Sequence, residues 1–156
     1  MDSKRRDVLK AGGGASVLAL AVAAGLVKPG KALAQEWNKA AFDTKNVADA
    51  VKALGASGST PSSAIEITAP DIAENGAVVP VAVESKLAKT QAIAILIEKN
   101  PNTLSAEFDI PAGTDPFVST RVKMAETSNI YALVLADGKY FHAVKEIKVT
   151  IGGCGG

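Results

Sequence analysis

The only cysteine of this 156-residue chain, Cys154, stands third from the carboxyl terminus in Gly152-Gly153-Cys154-Gly155-Gly156. Glycine has no Cβ and loses more conformational freedom on ordering than any other residue. The pentapeptide therefore reads as a thiol on a loose tether, with no neighbouring side chain to anchor or cover it. From Ile151 to Cys154 an extended backbone spans roughly 10 Å, at about 3.3–3.6 Å per residue. Such a thiol can enter a cavity of another protein. It has no Lys, Arg or His beside it in sequence, so its thiolate fraction near neutral pH is expected to be only a few per cent. The terminal carboxylate of Gly156 disfavours the thiolate further. Cys154 is thus a poor catalyst by itself and a suitable acceptor for groups that other enzymes attach. An incidental cysteine in a loose tail is the plainer alternative, but four framing glycines argue against it at an average glycine usage of about 7%.

Nothing else in the chain competes as a reactive centre. His142 is the sole histidine and lies in Tyr140-Phe141-His142-Ala143, where it reads as a strand residue with a surface or packing role. A metal centre needs a cluster of ligands, and His142 with Cys154 makes only a weak copper pair, so no metal or cofactor is expected. Arg121 and Lys123 can attract an anion, although a solvated strand face explains them as well. Nucleophile-elbow, Walker and dinucleotide fingerprints are missing from the sequence. Two residues after Cys154 are too few for a prenylation box.

The amino terminus indicates where the thiol works. Arg5 and Arg6, in Lys4-Arg5-Arg6-Asp7-Val8-Leu9-Lys10, form the pair of a twin-arginine export signal. A glycine-softened apolar stretch (11–27) follows, then Ala32-Leu33-Ala34, an A-x-A site with cleavage expected between Ala34 and Gln35. The stretch is short and glycine-rich for a transmembrane anchor, so the mature form is expected to have none and to reside in the periplasm. Residues 1–34 hold six of the 17 basic and two of the 16 acidic residues, which leaves the mature chain a net charge of −3. A basic footprint for nucleic acid or anionic lipid is therefore lacking. The mature chain is one domain's length, and with one cysteine it can form no internal disulfide. An odd cysteine in an oxidising space points to an intermolecular bond or a reactive thiol. The twin-arginine route carries folded proteins, which makes export together with a folded partner the more interesting option.

The elements that must position the arm follow from periodicity. Residues 35–62 read as N-terminal helices and a linker. A first short helix is expected over 36–42. A second has Thr44 as N-cap, Val47, Val51 and Leu54 on one face, and Gly55 as stop. From 63 to 151 the period is two, with strands over 65–68, 78–84, 92–98, 104–110, 117–124, 129–136 and 139–151. Asn75-Gly76 and Asp137-Gly138 signal tight turns, and Pro80 predicts an edge strand or a bulge. Leu104, Ala106, Phe108 and Ile110 are expected on one face, and Ile147, Val149 and Ile151 inward on the last strand. Seven strands without intervening helices predict a mainly β chain, an immunoglobulin-like antiparallel β-sandwich preceded by one or two short helices. Two strands are apolar on both faces, with Ala92, Ala94 and Leu96 on one second face and Tyr131, Leu133 and Leu135 on the other. Either the N-terminal helices or a permanent partner covers these. The arm, 152–156, continues from the last strand.

Four segments carry a resemblance to a known family: the twin-arginine signal, Pro70-Asp71-Ile72-Ala73-Glu74-Asn75-Gly76 leading into Val79-Pro80-Val81, Met124-Ala125-Glu126-Thr127-Ser128, and Val149-Thr150-Ile151 with the terminal pentapeptide. Together they resemble SoxY, the sulfur-carrier subunit of the periplasmic thiosulfate-oxidising Sox system. The resemblance implies a non-enzymatic carrier paired with SoxZ, with pathway intermediates held covalently on Cys154 and no resident cofactor. It implies that haem-containing SoxAX couples thiosulfate to the thiol and that SoxB hydrolyses the terminal sulfonate. Where present, a molybdenum sulfur dehydrogenase oxidises the remaining sulfane sulfur. Gly152, Gly153, Gly155 and Gly156 are then the arm that lets each active site admit Cys154. The alternative from another class is an immunoglobulin-like adaptor crosslinked through a Cys154 intermolecular disulfide. A thiol oxidoreductase is disfavoured, because the chain lacks a second cysteine and a neighbouring base.

Overall fold

A computed structural model describes residues 38–151. The export pair Arg5 and Arg6, the cleavage site at Ala34 and Gln35, the start of the first expected helix, and the arm with Cys154 lie outside the described residues.

Two short helices open the described chain, α1 (Lys39–Phe42) and α2 (Val47–Ala53). Asn38 caps α1, its side chain accepting from the Ala41 N–H. The cap of α2 is Asn46 and not Thr44: the Asn46 side chain accepts from the Asp49 N–H. Thr44 is committed to the preceding helix, where its hydroxyl donates to the Ala41 carbonyl (2.6 Å). Gly55 ends α2 as expected. It adopts φ +88°, its N–H donates to the Lys52 carbonyl, and the Ala56 N–H donates to the Val51 carbonyl. That crossed pair is a Schellman closure, whose left-handed residue favours glycine.

The rest is an immunoglobulin-like sandwich. One sheet orders β2 (Ile65–Thr68), β4 (Val79–Ser85) and β7 (Phe117–Val122). The other orders β1 (Thr60–Pro61), β9 (Lys139–Val149), β8 (Ser128–Ala136), β5 (Thr90–Ile97) and β6 (Leu104–Asp109), with β3 (Ile72–Ala73) also pairing with β9. Seven strands have four or more residues. The two-residue strand β1 lies in the segment expected as linker, and β3 lies between the expected strand over 65–68 and the Asn75-Gly76 turn. The Asp137-Gly138 hairpin forms as predicted: both residues have positive φ and Ala136 pairs with Lys139.

Val79, Val81, Val83, Val118 and Val122 face Ile93, Ile95, Ile97, Ile130, Val134 and Ile147 across the sandwich, all buried. The second apolar face of β5 and β8 is covered from within the chain. Ala94, Leu96, Leu104 and Leu133 form a separate cluster with Ala41 and Ala50, against which Val47, Val51 and Leu54 pack. The helices are thus a third layer, which resolves the apolar faces in favour of internal packing. Ala92 and Leu135, at the margin, stay half-buried.

Three local expectations differ from the structure. Leu104 packs under the helices while Ala106 and Phe108 join the sandwich core. The ladder shifts between Ile95 and Leu96, which pair with Ala106 and Leu104, and this bulge turns the strand's faces over. Pro80 sits in the middle strand of its sheet. However, β2 pairing stops at Thr68 opposite Ala82, so Pro80 has only β7 beside it, at Arg121, and its missing N–H is tolerated. Asn75-Gly76 does form a tight turn into β4, with the Val78 N–H donating to the Asn75 carbonyl (3.5 Å), and this turn connects two sheets, since β3 pairs with β9 while β4 pairs with β2 and β7. Regular pairing in β9 ends at Val149, and Ile151, expected inward, is 67% exposed.

Candidate functional site

The last strand among the described residues, β9, is held where it leaves the sheet. Past Ile147 its partner β8 has ended, since Ser128 opposite Ile147 is the last ladder pair. Two other segments take over. On one side β3 adds in parallel, with Ile72 opposite Lys148 and Ala73 opposite Val149. The Lys148 N–H donates to the Asp71 carbonyl and the Thr150 N–H to the Ala73 carbonyl, both at 3.0 Å. On the other side Thr127 replaces the missing strand: the Val149 N–H donates to its Oγ1 (2.9 Å). A half-buried N–H at a sheet end needs such a partner or water.

The clamp closes on Ile151. Its carbonyl accepts the Gly76 N–H at 2.7 Å, and the Gly76 carbonyl accepts the Met124 N–H at 2.7 Å. Gly76, buried, therefore ties the 124–128 segment to the end of β9. The Thr150 hydroxyl adds a bond to the Glu74 carbonyl (2.9 Å). Lys145 braces the same segment from beneath, donating to the Ala69 carbonyl (2.6 Å) and pairing with Asp71 at 3.0 Å. Asn100 holds the 123–125 loop, donating to the Lys123 carbonyl and accepting from the Ala125 N–H. Three of the segments singled out by resemblance, far apart in sequence, thus meet at the point from which Gly152–Gly156 departs.

The other candidate residues are not brought here. His142 Nδ1 meets Ser59 Oγ at 2.8 Å, beside Tyr131 with ring centroids 6.4 Å apart. His142 lies seven positions before Val149 on β9, roughly 24 Å at about 3.4 Å per residue, and is not among the residues that meet at the clamp. Among the described residues no group of three or more His, Cys, Asp or Glu could hold a metal ion. Arg121 is exposed on β7, and Lys123, also exposed, precedes Met124 at the clamp. A groove of about 700 Å³, lined by Leu87, Lys89, Ile110, Thr114 and Gly138 among others, lies at the hairpin end of β9. The length of that strand, roughly 34 Å at about 3.4 Å per residue, separates it from the clamp.

The sequence reading missed the positioning roles of Thr127, Asn100 and β3. Two residues of parallel strand leave no periodicity, and an Asn in a turn signals a turn whether or not it also binds a distant loop.

Fold and site define a class: an immunoglobulin-like sandwich with a helical cover, whose last strand is clamped at the point where a glycine-framed thiol follows. Residues 50–154 match the family described as sulfur oxidation protein SoxY, a match that runs through Cys154. Among solved structures, the sulfur carrier protein SoxY from Chlorobium limicola f thiosulfatophilum is 42% identical, with a TM-score of 0.59 over 65% of this chain and 92% of that one. The superoxide reductase (neelaredoxin) from Ignicoccus hospitalis is 19% identical over 55% of this chain and 79% of its own, with a TM-score of 0.48, a likeness that carries no argument. No match is found among curated proteins. The chain belongs to the SoxY family.

Proposed function

We propose that this protein is a periplasmic sulfur carrier that holds thiosulfate-derived groups covalently on Cys154 and is acted on by partner enzymes. The observation that carries the reading is the clamp. The family's segments converge on the carbonyl of Ile151, so a rigid mount ends where five residues, four of them glycine, begin. A carrier needs that division: the mount gives partners a fixed surface, and the tether delivers the thiol. The 42% identity to a structure described as a sulfur carrier protein supports the same role.

The chemistry balances when the partners supply it. Coupling thiosulfate to the Cys154 thiol forms one S–S bond, releases one proton and passes two electrons to the haem of a SoxAX-type enzyme. Water then attacks the terminal sulfonate in a SoxB-type site. The distal S–S bond breaks, sulfate leaves, and Cys154 keeps a persulfide. A molybdenum sulfur dehydrogenase, where present, oxidises that persulfide sulfur. The chain itself brings no base to the thiol, so activation falls to the partners, and a SoxZ subunit completes the carrier. Residues 1–34 direct export by the twin-arginine route and are removed before Gln35.

Intact-mass analysis of the periplasmic protein tests this reading. An amino terminus at Gln35 is expected, together with adducts on Cys154 after incubation with thiosulfate and the coupling enzyme. Normal thiosulfate oxidation by Cys154→Ser would refute it. A persistent Cys154–Cys154 dimer required for activity, seen on non-reducing gels, would favour a crosslinked adaptor instead.

A further inference from the structure

The residues around the clamp expose apolar side chains that the fold does not use. Among the described residues five large hydrophobics are exposed, and three of them, Ile72 (58%), Val78 (55%) and Ile151 (67%), stand at this end. Their backbones are tied together closely. Ile72 is in register with Lys148 on β9, and Ile151 is bonded to Gly76, two residues before Val78. Scattered surface hydrophobics are ordinary, whereas apolar residues gathered at one functional point mark an interaction surface. The neighbouring strand positions Ala73 and Val79 are buried, so the pattern follows the alternation of strands β3 and β4, and these side chains are held outward by the fold.

We propose that Ile72, Val78 and Ile151 form an apolar collar on which the rim of the enzyme cavity that loads Cys154 seats. The inference rests on the carrier reading and adds the surface by which the carrier is recognised. The length of the chain beyond Ile151 selects the occupant. Cys154 lies roughly 10 Å of extended chain past Ile151, at about 3.3–3.6 Å per residue. A reacting centre at the bottom of a cavity can be reached only when the rim of that cavity comes down to the root of the arm. The collar is therefore buried whenever the thiol is fully inserted. The glycines of the arm offer the enzyme no side chain to grip, so docking affinity must come from the mount. A complementary rim is apolar, and the collar contact adds to kcat/KM without touching the reacting sulfur.

The test uses the full mature carrier in its native complex, with Ile72→Ser and Val78→Ser combined. Both side chains are exposed, so the melting temperature is expected to stay within about two degrees, as for surface substitutions. With thiosulfate and the coupling enzyme, KM for the carrier should rise about tenfold with kcat unchanged, the size expected for truncating central apolar contacts. Alkylation of Cys154 by iodoacetamide should proceed at the wild-type rate, which shows the arm itself is unaltered. An unchanged KM in the double variant, with adducts forming normally on wild type, overturns the collar alone. Loss of the partner subunit on size-exclusion chromatography also overturns it, by making this patch a subunit interface. Failure of wild-type protein to gain any adduct on Cys154 refutes the carrier reading and the collar with it.

Discussion

Replacing Thr127 with Val removes one hydroxyl from the root of the arm and leaves the shape of the side chain nearly the same. In the native protein that oxygen accepts the Val149 N–H at 2.9 Å, at a position where β8 has already ended. The flanking N–H groups of Lys148 and Thr150 point the other way, to Asp71 and Ala73, so no strand can take Thr127's place. A typical intramolecular hydrogen bond contributes about 0.5–1.5 kcal/mol, and a desolvated orphan donor costs about 1–3 kcal/mol. The site is half-buried at a sheet end, where water reaches part of the freed N–H, so the lower range applies. Thr127→Val should then cost about 1 kcal/mol, a factor of about five in the folded-to-unfolded ratio. For a domain of this size that lowers the melting temperature by about 4 °C. Hydrogen exchange at the Val149 amide is the sharper assay. Its protection should drop at least about fivefold, while that of Ile130 in the middle of β8 follows only the global change. Thr127→Ser should restore both. Unchanged Val149 protection and an unchanged melting temperature in Thr127→Val would show that the hydroxyl does not support the root.

Three further outcomes follow from other parts of the molecule. Thr103 is fully buried with no partner for its hydroxyl among the described residues, so Thr103→Val should raise stability by about 1 kcal/mol in urea titrations, by removing an unpaired polar atom at constant volume. The Tyr140 hydroxyl donates to the Leu54 carbonyl at the end of α2. Tyr140→Phe should cost about 1 kcal/mol and increase proteolysis near residue 55 before the sandwich unfolds. Glu107, opposite Ala94 and exposed at its surface, has its carboxyl raised above the ordinary 4.5 by partial desolvation against the strand and then by the charge of Asp109. A raised acid binds its proton more tightly folded than unfolded, so its contribution favours folding at low pH and is lost as pH climbs from about 4.5 through the folded value. Glu107→Gln should therefore melt higher than wild type at pH 7, with the difference vanishing near pH 4.

Much of the fold was legible because its signals are local. Alternation marked the seven longer strands, Asp137-Gly138 marked a hairpin, and Gly55 marked the stop of α2, each requiring only backbone geometry of adjacent residues. The exceptions needed information from elsewhere in the chain. Thr44 failed as a cap because its hydroxyl serves the preceding helix. Leu104 changed layers because a bulge against β5 intervened, and alternation cannot announce an extra residue on a strand. The doubly apolar strands β5 and β8 showed that something covers them, while the identity of the cover depended on where two short helices folded back.

The residue proposed to carry the chemistry was singled out by the sequence alone, since Cys154 is the chain's single cysteine and stands among glycines. The mount was decided only in three dimensions. Gly76, Thr127 and Ile151 are separated by up to 75 positions, and none has a local pattern that foretells its bond. Their hydrogen bonds exist because packing of the two sheets delivers three loop segments to one end of β9, where the strand would otherwise leave its backbone groups unpaired. The sheet end demands those partners, and tertiary packing selects which residues answer.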